Sequence, residues 1–327
     1  MIFITGATGF VGSYICRALL LRGEKLRCLK RPTSSMALLE DVQHLIEWVE
    51  GSINDILWLD EQMQGVEKII HAAAMVSFDE GQKEALDQNI ELTKNLVNVA
   101  LSKPIKQFLQ VSSIAAIGQA AKGEVISEKH HWENSMQNVS DYAYSKHQAE
   151  MEVWRGIHES LPGVIVNPSV VLGPCPFQQS TGKLLSYIKE GNTYYTDGSI
   201  SLVDVRDVAE AVVGLIENNT VGERFILNAG ELTYLQFFSS LRAHWQLKGR
   251  LKQVGKTTLS AARFLEGTTQ FFTDKKRQIS QDIIRQVGQH SVYSSEKIEQ
   301  HLDFHFRPLA ETIAWTCASI SSFDKTF

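Results

Sequence analysis

The sequence predicts an α/β fold, a doubly wound parallel sheet with a smaller C-terminal lobe. Three observations carry that expectation. Short apolar runs alternate with helically periodic segments through the first half of the chain, as they do where helices cover both faces of a parallel sheet. The first apolar run ends in Thr5-Gly6-Ala7-Thr8-Gly9-Phe10-Val11-Gly12, directly before a helical pattern. Beyond Gly230 the alternation stops, and mixed helical stretches run to the end. The 327 residues suit roughly two domains of about 150 residues each.

The elements follow in order. Ile2 to Thr5 reads as a strand. Phe10 to Arg22 places Val11, Ile15, Ala18, Leu19 and Leu21 near a helical period, and Gly23 is its stop. Lys25 to Lys30 is a second strand, and Val66 to Ala74 a third. Asn89 to Leu101 has helical spacing. Ile105 to Val111 is a strand that ends at Ser112-Ser113. Ser140 to Glu159 reads as a long helix, and Gly163 to Val166 as a strand ending at Asn167-Pro168. Gly173-Pro174-Cys175-Pro176 is a breaker cluster that leads the chain away from the sheet. Leu202 to Val205 and then Val208 to Glu217 return to a strand and a helix. The expected division puts residues 1–170 and about 201–230 in the sheet domain, with about 171–200 and 231–327 in the lobe.

Composition narrows the functional classes. Hydrophobic residues make up 43% and charged residues 21%, which excludes a disordered chain and suits an ordinary globular protein. The net charge of −5 gives no general attraction to phosphate backbones, so no nucleic-acid partner is expected. Cys16, Cys28, Cys175 and Cys317 form no C-x-x-C pair and follow no zinc spacing, so they read as small buried hydrophobes. The apolar start breaks at Gly6 without a basic leader or cleavage site. No run of roughly 18 apolar residues occurs. A cytoplasmic protein without membrane attachment is the expectation.

Two motifs carry chemistry. In the glycine loop, Gly6 permits a tight turn, Gly9 lets the backbone approach a pyrophosphate, and Gly12 lets the helix pack closely on the sheet. The pyrophosphate would rest on free N–H groups at the helix start, with Thr8, Phe10 and Val11 counted among the cofactor-binding residues. In Tyr142-Ala143-Tyr144-Ser145-Lys146, Tyr142 and Lys146 share one helical face. A neighbouring ammonium lowers a tyrosine below its usual pKa of about 10 and allows proton exchange near neutral pH. Four residues beyond Tyr144 stands Gln148, so Tyr142 is the expected member.

The loop reads T-G-x-x-G-x-x-G, and here the sequence resembles the extended branch of the short-chain dehydrogenase/reductase superfamily, a Rossmann-type fold. Further segments fit that resemblance in order. They are His71-Ala72-Ala73-Ala74, the helix with Asn89, Thr93, Asn95 and Leu96, the serine pair, Pro168 to Pro174, Asp204 to Ala209, and Ser294 to Leu309. The resemblance implies a site in which Ser113, with Ser112 in reserve, hydrogen-bonds the reacting oxygen. The S-x-x-x-x-G spacing to Gly118 favours Ser113. It further implies that Tyr142 transfers the proton and that Lys146 holds the cofactor ribose and tunes Tyr142. Ala72, Ala73 and Ala74 would lie against the cofactor, and Pro168 and Val171 beside the nicotinamide. Ser52 stands where an adenine-contacting aspartate is common, and Ile53 would still cover the ring.

The second strand ends in Lys30-Arg31 with no acid. Basic groups there suit a 2′-phosphate, so NADP(H) is the preferred cofactor and NAD(H) the alternative. Nucleotide-sugar enzymes of this branch place a diphosphate-binding arginine where this chain has Ile200. Met75-Val76-Ser77-Phe78 and Pro168 to Pro174 look like the dihydroflavonol-reductase-like group. The resemblance therefore implies hydride transfer to a small ketone or aldehyde, or from the corresponding alcohol. The alternatives are a nucleotide-sugar epimerase or dehydratase with tightly bound NAD, and a non-catalytic NADP-binding sensor. Relatives pair through the helices that begin here near Asn89 and Ser140. That implies a homodimer, with Met151, Val153, Trp154 and Ile157 available on the second helix.

Overall fold

The computed structural model describes residues 1–74, 83–118, 123–130, 132, 139–178, 181–260 and 287–320. The first half runs β1 (Ile2–Thr5), α1 (Phe10–Leu21), β2 (Leu26–Lys30), β3 (Glu47–Glu50), α2 (Ile56–Gln62), β4 (Lys68–His71), α3 (Lys83–Leu101) and β5 (Gln107–Val111). It continues through β6 (Val125–Ile126), α4 (Asp141–His158) and β7 (Gly163–Pro168). The second half runs β8 (Val170–Leu172), α5 (Gly182–Lys189), β9 (Tyr194–Thr196), β10 (Ser199–Asp204), α6 (Val205–Glu217), β11 (Glu223–Leu227), β12 (Gly230–Thr233) and α7 (Tyr234–His244). It ends with β13 (Lys252–Val254), β14 (Val292–Tyr293), α8 (Glu296–Leu302) and α9 (Leu309–Ser319).

Seven of these strands form one sheet in the order β11-β7-β5-β4-β1-β2-β3, with every pair parallel. The strand order reverses between β1 and β4. A crevice at the carboxyl ends of those two strands is where such sheets take ligands. Strand side chains alternate between faces, so each strand feeds two cores. Ile4, Ile70, Leu109 and Val164 pack with Ile15 and Leu19 of α1 and Val208 and Val212 of α6. Phe3, Ile69, Phe108 and Ile165 pack on the other face, with Leu96 and Val97 of α3 and Val153 of α4.

β8, β10 and β12 form a second sheet, joined by a parallel β8–β10 pair and an antiparallel β10–β12 pair. Its core collects Leu172, Leu185, Ile188, Leu202, Phe237, Leu241 and Ile313. A seam of buried Phe10, Cys175 and Val205, with Tyr14 and Trp315 against them, joins this core to the start of α1. Phe10, Tyr14 and Trp315 meet edge to face, at centroid distances of 5.8 and 6.2 Å. The Arg206 guanidinium lies 3.9 Å above the Trp315 ring and pairs with buried Asp204 at 2.7 Å. The Thr312 hydroxyl of α9 donates to the same carboxylate at 2.9 Å.

Some expectations change. β3 and α2 escape a periodicity reading because β3 is short and exposes both of its glutamates. β11 starts on Glu223-Arg224 and was hidden in the same way. The region beyond Gly230, read as helical, also contains β12, β13 and β14. Of the α4 residues expected on an outer face, Val153 is wholly buried in the subunit's own core, where Trp154 and Ile157 also pack. Met151 is exposed. All four cysteines are buried and free. Among the described residues no helix is long and apolar enough to cross a membrane.

Candidate active site

The site begins where β1 ends. Gly6 has φ +75°, and a Cβ there would stand 2.5 Å from the Ala73 nitrogen and 2.6 Å from the Ala72 carbonyl carbon. A Cβ on Gly12 would overlap the Gly6 carbonyl oxygen. The Gly9 N–H closes the turn onto the Gly6 carbonyl at 3.0 Å. Gly9 is also the N-cap of α1, with no side chain capping the helix and no acid in its first turn. The leading N–H groups of α1 therefore remain for an anion. The residues present fit a dinucleotide pyrophosphate on this loop. The Phe10 ring turns into the inter-lobe seam, which leaves its backbone to the loop. Thr8, Val11 and Ala72–Ala74 are half-buried.

A hydrogen-bond chain fixes the ends of β1 and β4 behind this loop. The Thr93 hydroxyl donates to the Asn89 carbonyl at 2.8 Å, so its oxygen accepts from His71 Nε2 at 3.1 Å. The neutral ring then offers Nδ1 as an acceptor, which the Thr5 hydroxyl fills at 2.6 Å. Thr5 Oγ1 accepts in turn from the Ala73 N–H at 3.4 Å. Burial, reinforced by the Lys146 charge, drives the His71 pKa down to about 3. A neutral His71 thus ties β1, β4 and α3 together.

The structure brings Ser113, Tyr142 and Lys146 together at the end of β5 and the start of α4. Ser140 caps α4 by accepting from the Ala143 N–H at 3.1 Å, which sets Tyr142 in the first turn. The Tyr142 phenol hydrogen-bonds the Ser113 side chain. Its pKa departs from the expectation of a lowered value. Burial pushes the phenol up, and the Ser113 hydrogen bond pulls it back only in part. Lys146 is buried, and desolvation brings its ammonium down to about 8 while the Glu150 charge opposes the drop. Ser112 points elsewhere, donating to Glu150 at 2.9 Å. Tyr144 is half-buried.

The remaining expected residues divide. Lys30 forms an ion pair with Glu50 at 3.0 Å. Arg31 is exposed in a turn that Ser34 closes on both sides, accepting from the Arg31 N–H and donating its own N–H to the Arg31 carbonyl. Ile53 is buried among Leu29, Leu59 and Leu96, and Ser52 Oγ accepts from the Asn54 N–H at 3.2 Å. Pro168 is buried at the end of β7, and Val171 is half-buried on β8. Ile200 is spent on the lobe core. Met75 to Phe78 lie outside the described residues.

Residues 2–230 match the family model described as the NAD dependent epimerase/dehydratase family. The chain belongs to that family. Two relatives show the range within it. "Putative dihydroflavonol 4-reductase" of Synechocystis is 34% identical over 233 residues, which is 69% of this chain and 66%, just under two thirds, of that protein. Sterol demethylase protein B of Methylococcus capsulatus is 30% identical over 252 residues, 74% of each chain. Among solved structures, gox2253 superposes with a TM-score of 0.84 at 28% identity, covering 98% of both chains.

Within this family frame, sequence reading missed three residues that stand behind the site: Glu150, Asn167 and Arg224. Each had a signal. Glu150 continues the Tyr142–Lys146 spacing by one further turn, onto a helix face that the neighbouring residues bury. Asn167 follows the apolar run Val164-Ile165-Val166, and Arg224 directly precedes the apolar Phe225-Ile226-Leu227.

The neutral His71 has a pH signature. The unfolded chain binds a proton at this residue below about 6.5, and the folded chain excludes it down to about 3. The neutral histidine's contribution is complete above the upper value and is lost as pH falls through that window. Urea unfolding at stepped pH should therefore show the parent losing stability more steeply than His71→Asn across the window. Equal slopes would place the acid sensitivity elsewhere.

Proposed function

We propose that the protein is a cytoplasmic, NADP(H)-preferring oxidoreductase that reduces a ketone or aldehyde, with Ser113, Tyr142 and Lys146 as its catalytic residues. The observation that carries this reading is the Ser113–Tyr142 hydrogen bond beside a buried Lys146, on the crevice that the glycine loop opens. Burial holds the phenol in its protonated form, and that is the form a reduction needs. A nicotinamide dinucleotide bound there supplies the hydride. Tyr142 gives its proton to the substrate oxygen as the carbonyl carbon gains the hydride. Ser113 donates a hydrogen bond to that oxygen and steadies its developing charge. Lys146 holds the ribose and returns Tyr142 to its protonated state. The chemistry belongs to the cofactor; the chain positions and polarises.

The substrate is an uncharged, partly apolar carbonyl compound. Ile200 leaves the nucleotide-sugar reading without its arginine, and the names of the two relatives, a dihydroflavonol reductase and a sterol demethylase protein, favour the same substrate class. The lobe of β8, β10, β12 and the helices around them supplies the substrate side of the crevice in this reading. The 2′-phosphate contact rests on Arg31, since Lys30 is already paired with Glu50.

Tyr142→Phe should retain NADPH binding and lose about 10²–10⁴-fold in turnover, because the phenol and not the ring carries the proton. NADPH oxidation against a panel of aldehydes and ketones measures this, and equal activity would sink the assignment.

Arg31→Ala should weaken NADPH by about 1.5–3 kcal/mol and NADH much less, since only NADPH offers the phosphate. Titrating both cofactors decides. An equal loss for the two would mean that Arg31 reads something else.

The reading includes a homodimer through the outer faces of α3 and α4, where Met151 is exposed. Light scattering at micromolar concentration tests it: a mass near 36.7 kDa would exclude a stable pair.

A further inference from the structure

A carboxylate lies directly behind the candidate site. Glu150 is fully buried, two helical turns from Tyr142 and one from Lys146. Each of its oxygens takes two donors. Oε2 accepts from Ser112 Oγ at 2.9 Å and from Asn167 Nδ2 at 2.8 Å. Oε1 accepts from Arg224 NH1 at 2.8 Å and from Trp154 Nε1 at 3.3 Å. The Asn167 amide also donates to the Ser113 carbonyl at 2.9 Å.

The geometry of these contacts is specific to one segment. Ser112 and Ser113 form the two residues that follow β5, and both are held through Glu150, the first by its hydroxyl and the second by its carbonyl through Asn167. The Ser113 side chain is left facing Tyr142. Arg224 carries a second duty, donating to the Glu128 carbonyl at 2.9 Å and the His130 carbonyl at 3.0 Å. An apolar residue would fill the same space, so a buried, four-donor carboxylate here calls for a reason beyond packing.

We propose that Glu150 is a positioning residue for the Ser113–Tyr142–Lys146 site: it anchors the end of β5 from behind and holds an anion one helical turn from the Lys146 ammonium. The inference rests on the function proposed above. The anion opposes the desolvation that otherwise strips the proton from Lys146. Among the described residues, the other groups near that ammonium do not replace it. On β4 His71 is neutral. On α4 Tyr142 is held protonated. On β11 Arg224 is cationic and paired with Glu150 itself. Thr93 of α3, Gln110 of β5 and Ser112 just beyond β5 are buried and carry no charge.

The test compares the parent with Glu150→Gln, Glu150→Asp and Ser112→Ala in the full chain. In the parent, carbonyl reduction should fall as pH rises through about 8, where Lys146 loses its proton. Glu150→Gln should move that limb down by about one pH unit or more and lower kcat about 10–100-fold with KM little changed. Glu150→Asp should restore the limb. Ser112→Ala keeps the charge and loses an anchor, so its kcat should drop while its limb stays in place. A purely structural Glu150 would move none of these pH limbs.

A second readout needs no turnover. The ¹⁵N shift of the Lys146 side chain, titrated in the parent and in Glu150→Gln without substrate, should show the variant deprotonating at lower pH. If no carbonyl compound is reduced by the parent, the proposed activity fails, and this titration still judges Glu150. If Glu150→Gln does not fold, Glu150→Gln/Arg224→Met removes both charges together and takes its place with the same expectations. Superposable pH profiles and superposable Lys146 titrations overturn the proposal, as does a Ser112→Ala variant with undiminished kcat.

Discussion

At Gly6 the backbone comes so close to Ala72 and Ala73 that no side chain fits between them, and the layout of the site follows from that contact. It sets the loop after β1 against the segment after β4, where the strand order reverses. Gly12 then draws α1 onto the same loop, so the uncapped helix start faces the crevice. Thr5 and His71, the last residues of the two strands, bind each other through hydrogen bonds, and Thr93 locks the histidine to α3.

The second wall is a problem of buried charge. Lys146 and Glu150 are both removed from water, and so is most of Arg224. Isolated, each would be costly to bury. Placed together they leave both oxygens of Glu150 saturated, and among the described residues that carboxylate is the main support of the Lys146 charge. Tyr142 sits beside them in a pocket that keeps it a phenol. The division of labour is physical: glycine and alanine shape the cofactor side, and a compact polar cluster prepares the proton side.

Much of this was legible in the sequence, and the limits have physical causes. The glycine loop, the strands of the sheet core and the Tyr142–Lys146 pair announce themselves because each imposes a short, strict pattern. The choice of Ser113 over Ser112 rested on spacing, and the structure turns the two hydroxyls to different partners. The rest was hidden for reasons that can be named. Lys30 ends its strand with no acid beside it in sequence, yet the structure pairs it with Glu50 on the neighbouring strand, because sheet register is invisible in a linear reading. The phenol was expected to ionise more easily beside Lys146, but desolvation acts first. Val153, Trp154 and Ile157 seemed spare because an apolar helix face does not reveal which neighbour covers it. β3 and β11 carry charged ends that break the apolar signal.

The seating of the edge strand has a consequence for how the molecule assembles. Between β7 and β11 the chain leaves the large sheet, builds β8 and β10 of the small one, and returns through α6. The pairing of Glu223 with Val164 therefore joins points far apart along the chain. Closing so long an excursion costs entropy before the contact gives anything back. β11 is thus expected to zip up late, once the small lobe has taken shape. Arg224 lies on that strand, so the counterion of Glu150 arrives with it, and the proton side of the crevice is completed by the last edge of the sheet to close.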